Sequence, residues 1–497
     1  MRMGHGALSE AELILVIDAG TTSNRAMVFA PDGSLRATAQ RPLTQHYPQP
    51  GWVEHDAAEI WQSVLACARH AASQVGGAAR IAAIGLANQR ETVVAWDKVS
   101  GEPLARALVW QDRRTESICA ALRDAGHEGA VQAATGLVLD PYFSASKMRW
   151  LIDNVPEVRA AADAGRLALG TVDSWLLYKL TGAHVTDAGN ASRTALMALA
   201  GAGWDQGLCD LFGVPQAALP QVCDSAGALG IARSEWLGTA IPVTGVAGDQ
   251  QAATIGQGCL TPGATKATYG TGAFVLANMG DAVPASQHRL LATVLCQLDG
   301  KRTYALEGSV FVAGSLVQWL RDGLGLIDAA GETEVLARSV PDNAGVVIVP
   351  ALSGLGAPHW RPDARAAITG LTFAASRAHL ARAALEAMAM QTRDLAEAFA
   401  ADGARWTHLR IDGGMSANDW MAQDIADVLG IPVERPGFVE TTALGAAMLA
   451  ASGAGLFANL EAAAGAMAGR RSGFAPQMTE GERDRRIAAW NKALGAV

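Results

Sequence analysis

Two short stretches of this chain combine the residue types that a phosphate group needs. The first is Asp18-Ala19-Gly20-Thr21-Thr22-Ser23-Asn24-Arg25, and the second is Thr268-Tyr269-Gly270-Thr271-Gly272. Phosphate oxygens are met by backbone N–H groups, and glycine lets the backbone come close enough to present them. The hydroxyls of Thr21, Thr22 and Thr271 can donate further hydrogen bonds. Arg25 can supply a charge, and Asp18 can hold Mg²⁺ through water. A third stretch, Asp412-Gly413-Gly414, precedes a helical pattern and suits the close approach of a nucleotide. Neither a Walker-A sequence nor a GxGxxG following a strand is present. Phosphate handling would therefore fall to the two Gly/Thr turns and the Gly-Gly turn.

The elements around these turns are legible. Leu13–Asp18 is an apolar run, and Arg25–Ala30 alternates back towards the apolar before Pro31-Asp32-Gly33 turns again. This reads as strand, tight polar hairpin, strand and turn. Ala264–Ala267 and Ala273–Ala277 flank the second hairpin in the same way, which points to a duplicated domain. Helical spacing is clear over Ala378–Ala400, and over Ala417–Leu429 with its polar start at Asn418 and Asp419. The runs Gly345–Pro350 and Leu409–Ile411 alternate with these helices as strands, so the class is α/β. Gly and Pro cluster over Gly256–Gly263, which places a boundary between domains 1–257 and 258–497.

Length supports two domains, because 497 residues exceed what one hydrophobic core normally serves. Half the residues are apolar and 18% are charged, a globular composition. A net charge of −9 without a long Lys/Arg run argues against nucleic acid and anionic membranes as partners. The six cysteines (Cys67, Cys119, Cys209, Cys223, Cys259 and Cys296) contain no CxxC pair and suit buried thiols in a reducing compartment. The N-terminal stretch carries acids and Gly where a signal peptide needs an apolar segment. The Ala/Gly-rich stretch Leu444–Gly469, interrupted by Glu461, is a poor membrane span. A cytoplasmic protein is expected.

The motifs taken together resemble the glycerol kinases, members of the sugar and polyol kinases. The resemblance runs nearly end to end. It is carried by DAGTTSNR (Asp18–Arg25), PGWVEHD (Pro50–Asp56), NQRET (Asn88–Thr92), VWQDRR (Val109–Arg114) and DPYFSASK (Asp140–Lys147). GTVDSWLL (Gly170–Leu177), NASRT (Asn190–Thr194), GDQQAA (Gly248–Ala253), YGTGAF (Tyr269–Phe274), GLGAPHW (Gly354–Trp360) and DGGMSAN (Asp412–Asn418) continue it. The hairpins and the last Gly-Gly turn are common to the wider superfamily. NQRET, VWQDRR and DPYFSASK are similar to glycerol kinases in particular.

The resemblance implies two actin-like (ribonuclease H-like) ATPase domains with the active site in the cleft between them, ATP and Mg²⁺ as cofactors, and glycerol as acceptor. It implies an acceptor site of Arg90, Glu91, Trp110, Tyr142, Asp249, Gln250 and Phe274, with Asp249 as general base. The nucleotide side comprises Thr21, Thr22, Ser23, Arg25, Thr271, Gly314, Gln318, Gly414 and Asn418, and Asp18 is the Mg²⁺-linked carboxylate. The chemistry is sensible for those types: three hydroxyls need fixed donors and acceptors, and a short carbon edge needs an apolar wall. Without the family, Trp110 and Phe274 read as core and Arg90-Glu91 as a surface ion pair. Lys147 and the Arg113-Arg114 pair match the motifs without an assigned catalytic role. A homodimer or tetramer is left open.

The chain departs from the pattern in places. Ala19 stands where glycerol kinases commonly have Gln. Arg233–Ile241 lacks the Gly/Lys-rich loop of members that respond to fructose 1,6-bisphosphate, and Gln477–Arg483 departs from the segment some relatives use for a sugar-transport regulator. The alternatives to glycerol phosphorylation are a pentulose or gluconate kinase and an actin-like ATPase that serves as a scaffold or chaperone.

Overall fold

The run Leu13–Ile17 is apolar at every position because the strand Leu13–Ala19 is covered on both faces. Leu13, Leu15, Ile17 and Ala19 point into one core, and Ile14 and Val16 point into another. A strand that is buried on both sides loses the usual apolar–polar alternation. The computed structural model describes residues 12–361 and 363–497. The N-terminal segment read above against a signal peptide therefore lies outside the described residues up to position 11.

The strand Leu13–Ala19 is third from one edge of a six-stranded sheet. It pairs antiparallel with Ser23–Phe29, which pairs antiparallel with Leu35–Pro42. On its other side come Ile81–Asn88 and Ile241–Gly248, both parallel, and then the antiparallel edge strand Ala226–Ala232. The helices Ala57–Gln74 and Val172–Thr181 cover one face. The other face is covered by Asp249–Gly256 and by two helices from much later in the chain, Thr441–Gly453 and Leu460–Met467.

A seven-stranded sheet repeats the plan. Thr265–Tyr269 pairs antiparallel with Ala273–Gly280, and this pairs antiparallel with Lys301–Val310. On the other side, Leu409–Asp412 and Val433–Pro436 follow in parallel, and Arg471–Phe474 closes the edge antiparallel. Leu291–Leu298 forms the opposite edge, antiparallel to Lys301–Val310. In both sheets the first strand has two successive antiparallel strands beside it on one side, and two parallel strands followed by an antiparallel edge strand on the other, so the two Gly/Thr hairpins do mark a duplicated α/β unit. Arg377–Ala401 and Asp419–Leu429 pack on one face of this sheet, over Ala267, Val275, Leu306 and Ile411. The register puts Lys266, Thr268, Phe274, Glu307 and Asp412 on the opposite face, because directly paired residues project to the same side. That polar face turns towards the first lobe.

Element bounds differ from the sequence reading only at ends. The long helix extends one residue each way, to Arg377–Ala401. The helix expected from Ala417 starts at Asp419, because Asn418 caps it by accepting from Met421 N at 2.9 Å, and a short 3₁₀ turn occupies Gly414–Ala417. All six cysteines are unpaired, and only Cys223 is other than buried.

Candidate active site

The first hairpin is closed by a single bond, Gly20 N donating to Ser23 O at 3.1 Å, and the second matches it with Gly270 N to Gly272 O at 2.9 Å. Both leave threonine hydroxyls at the turn, with Thr22 and Thr271 exposed. The first turn is held from below. Gln89 N donates to Ala19 O and Gln89 Nε2 to Gly20 O, while Gln45 Nε2 donates to Thr21 O at 2.7 Å. His55 bridges the two glutamines, and burial lowers its pKa to about 4, so it is neutral there. This gives the PGWVEHD and NQRET motifs a physical role as struts of the hairpin.

The second hairpin stacks on two other turns. Gly314 N donates to Gly270 O, and Ala313 N and Ser315 N donate to Thr271 O. A Cβ at Gly314 would stand 2.5 Å from Gly270 O, and one at Gly413, whose φ is +85°, would stand 2.5 Å from Tyr269 O. Only glycine permits that stacking. Gly414 faces open space, Gln318 is exposed one turn beyond Gly314, and the Asn418 side chain is committed to its cap and to Thr333 at 3.3 Å.

The strand Ile81–Asn88 ends at Gln89-Arg90-Glu91, where Glu91 takes φ +59°. Arg90 and Glu91 are both buried and do not pair with one another: the surface ion pair suggested by their adjacency does not form, because the sharp turn sends them to different partners. Arg90 Nε lies 3.4 Å from Asp249 Oδ1. Glu91 Oε1 accepts from Arg193 Nε at 2.7 Å, and among the described residues Oε2 has no protein partner. Asp249 is the first residue of its helix, its Oδ1 accepts from Gln250 N, and Oδ2 is free among the described residues.

Trp110 joins the two halves of the site. Its Nε1 donates to Thr21 Oγ1 at 2.9 Å, and its ring meets Tyr142 edge-on at 5.7 Å. Tyr142 is set by Lys147, whose buried Nζ donates to the carbonyls of Pro141, Tyr142 and Phe143. Lys147 thus has a structural role. Arg114 does too, lying over the rings of Trp52 and Trp150. Phe274 is half-buried on the face that carries Lys266 and Glu307; both Trp110 and Phe274 are cleft residues, not core.

Burial raises the Asp249 carboxyl above its usual range, and Arg90 and Lys266 oppose this. Asp18 is pushed up to about 7, mainly by burial, with Asp249 and Glu440 adding to it and Arg25 opposing. Its carboxylate accepts no hydrogen bond from the described residues. A cation would relieve that charge. Among the described residues no cluster of three His, Cys, Asp or Glu could cage a metal. Mg²⁺ needs no such cage, since one or two carboxylates, substrate phosphates and water suffice. Asp18 fits that mode.

Sequence reasoning missed four buried partners: Arg193, Gln251, Lys266 and Glu307. Lys266 Nζ donates to Gln250 Oε1 and Thr268 Oγ1 at 2.5 and 2.7 Å. Arg90 Nη1 reaches Gln251 Oε1 at 3.4 Å. A charge inside each of two strand runs, Lys266 beside Ala267 in Thr265–Tyr269 and Glu307 after Ala305-Leu306 in Lys301–Val310, was the available signal.

Models of the FGGY family of carbohydrate kinases match the chain twice, the N-terminal domain over residues 13–256 and the C-terminal domain over 265–454. The chain belongs to this family. It is 55% identical to the glycerol kinase of Alcanivorax borkumensis, covering 97% of this chain and 98% of that one. It is 53% identical to that of Dechloromonas aromatica, over 97% of both. Its fold superposes on the crystal structure of Plasmodium falciparum glycerol kinase with ADP at a TM-score of 0.92 and 35% identity, over 97% of this chain and 98% of the other. The FGGY fold extends to the xylulose kinase of Rhodospirillum rubrum, at a TM-score of 0.87 and 25% identity over 97% and 98% of the two chains.

Proposed function

We infer that the protein transfers the γ-phosphoryl group of ATP to a terminal hydroxyl of glycerol, giving ADP and sn-glycerol 3-phosphate. Identity above 50% to glycerol kinases along almost the whole chain carries this reading. The site chemistry agrees with it. Arg90 donates to an acceptor hydroxyl, Glu91 Oε2 accepts from one, and Tyr142 and Gln250 complete the polar set. Trp110 and Phe274 flank the carbon edge.

Asp249 takes the proton of the attacking hydroxyl as the O–P bond forms, and its raised pKa makes it a better base than an ordinary carboxylate. Thr21, Thr22, Ser23 and Arg25 hold the phosphates from the first lobe. Thr271, Gly314, Gln318, Gly414 and Asn418 hold the nucleotide from the second. Asp18 would hold Mg²⁺, which when bound would neutralise charge on the transferring group. The functional division is 1–257 and 258–497, with the reaction in the cleft, and the compartment is the cytoplasm, where ATP is supplied.

The test is ADP release with a panel of acceptors at matched concentration. Glycerol should exceed xylulose and gluconate in kcat/KM by about two orders of magnitude, because the wrong sugar mispairs several polar groups. Equal or faster turnover of a ketopentose or a sugar acid would remove glycerol as the acceptor.

A further inference from the structure

Glu307 stands at the centre of the strand Lys301–Val310 with its side chain wholly buried. Both of its carboxylate oxygens are used. Oε2 accepts from Arg90 Nη1 at 2.5 Å, and Oε1 accepts from Arg90 Nη2 at 3.1 Å and from Arg193 Nη2 at 3.0 Å. Arg193 Nε continues to Glu91 Oε1, and Arg90 Nε continues to Asp249 Oδ1. Five charged groups therefore alternate in sign: Glu91, Arg193, Glu307, Arg90, Asp249. The two ends are the acids facing the acceptor. The middle is the one member that comes from the second sheet.

We propose that Glu307 is a positioning residue for the acceptor site, fixing Arg90 directly and Glu91 through Arg193 from across the boundary between the lobes. The inference rests on the glycerol reading above and deepens it. A bidentate carboxylate sets the plane of a guanidinium as well as its place, which a point charge would not do. Both Nη atoms of Arg90 donate to Glu307, at 2.5 and 3.1 Å, whereas Gln251 and Asp249 each stand 3.4 Å from a single guanidinium nitrogen, so Glu307 is the partner that fixes the guanidinium plane near the acceptor. Burying four of these charged groups (Glu91, Arg193, Glu307 and Arg90) is costly, and apolar residues fill a core at least as stably. The arrangement is explained by orientation better than by stability. Burial alone would raise the Glu307 carboxyl, yet Arg193 and Arg90 hold it down at about 2, so the hub stays ionised at any working pH.

Three variants test this: Glu307→Gln, Glu307→Asp and Arg193→Lys. KM for glycerol, KM for ATP, kcat and calorimetric glycerol affinity are measured on each, with thermal unfolding as the folding control. Glu307→Gln should raise the glycerol KM about 10- to 100-fold, the loss expected from charge-assisted bonds, while the ATP KM stays within about twofold. Glu307→Asp reaches one arginine and should fall between. Arg193→Lys keeps the charge but not the fork, and should raise the glycerol KM about tenfold with ATP unaffected. Glycerol constants at the wild-type value in the folded variants would overturn the proposal, as would equal shifts in both substrates or unfolding of all three variants, which would mark the network as purely structural. Failure of the unmodified protein to phosphorylate glycerol would instead count against the function itself.

Discussion

At the scale of single residues, Asp249 carries the sharpest expectations. Asp249→Asn keeps the size and hydrogen bonding of the side chain but cannot take a proton. The substitution should lower kcat by about 10²–10⁴-fold and leave calorimetric binding of glycerol and a Mg–ATP analogue largely intact. Weakened nucleotide binding would mean that Asp249 acts chiefly on the metal. Its pKa also sets a pH dependence. In its proposed role as base it would work deprotonated, and burial lifts its pKa above the ordinary value of about 3.9. Activity should therefore be present above that raised value and fall as the pH drops through it. A kcat/KM profile with an acid limb no higher than a free aspartate would contradict this. The hairpin residues were legible from type and spacing alone. Glu307 was not, because its partner Arg90 lies 217 positions away and nothing local in a strand names a distant arginine.

At the scale of elements, the helices Asp249–Gly256 and Thr441–Gly453 meet through glycine. A Cβ at Gly445 would run into the Ala252 carbonyl, and one at Gly256 into the Thr441 carbonyl. Gly445→Ala should cost about 1–3 kcal/mol by overpacking and lower the thermal midpoint. Gly465→Ala, on the exposed side of the helix Leu460–Met467 with open space beyond it, should be neutral or stabilising by up to about 1 kcal/mol. Equal effects at the two sites would show that contact between the helices is not what requires glycine. The segment Arg233–Thr239 forms a short helix over Ser234–Leu237, pinned by Arg69 donating to Trp236 O at 2.7 Å, and Arg233 is drawn to Glu235 at 3.6 Å. An anion would find a carboxylate there and little free backbone. Inhibition by fructose 1,6-bisphosphate should be weak or absent in an activity titration, and strong inhibition would overturn that. Long periodic elements such as Arg377–Ala401 were readable because periodicity is local. The packing of Thr441–Gly453 on the first sheet was not, since a helix made mostly of Ala and Gly has no distinctive face.

At the scale of the whole molecule, Arg90, Glu91 and Asp249 follow strands of the sheet that carries the first hairpin, while the second hairpin and Phe274 belong to the other sheet, so the proposed reaction needs both lobes together and water kept out where they meet. Among the described residues no helix is long and apolar enough to cross a membrane. Water is too small to span Arg90 and Glu91 and to be oriented at Asp249. Without an acceptor, ATP hydrolysis should stay below about a hundredth of the rate with glycerol, since positioning supplies much of the acceleration. Comparable rates would place this chain with the ATPases that do not transfer phosphate to a polyol.

The cover over one face of the first sheet has a consequence for how the chain is made. Ile14, Val16, Met27, Phe29, Ala83 and Ala247 are sealed by helices ending at Met467, near the far end of the polypeptide. A ribosome adds about 5–20 residues per second, so roughly 10–40 s separate synthesis of the last central strand, Ile241–Gly248, from that of Gly453. Through that interval only the helix Asp249–Gly256 is there to cover this apolar face on the nascent chain, and the rest of it should be open to holding chaperones. A fragment ending at residue 257 would keep the helix Asp249–Gly256 but lose the other two that cover this face, and should associate or precipitate on expression and recover when a separate 258–497 chain is produced beside it.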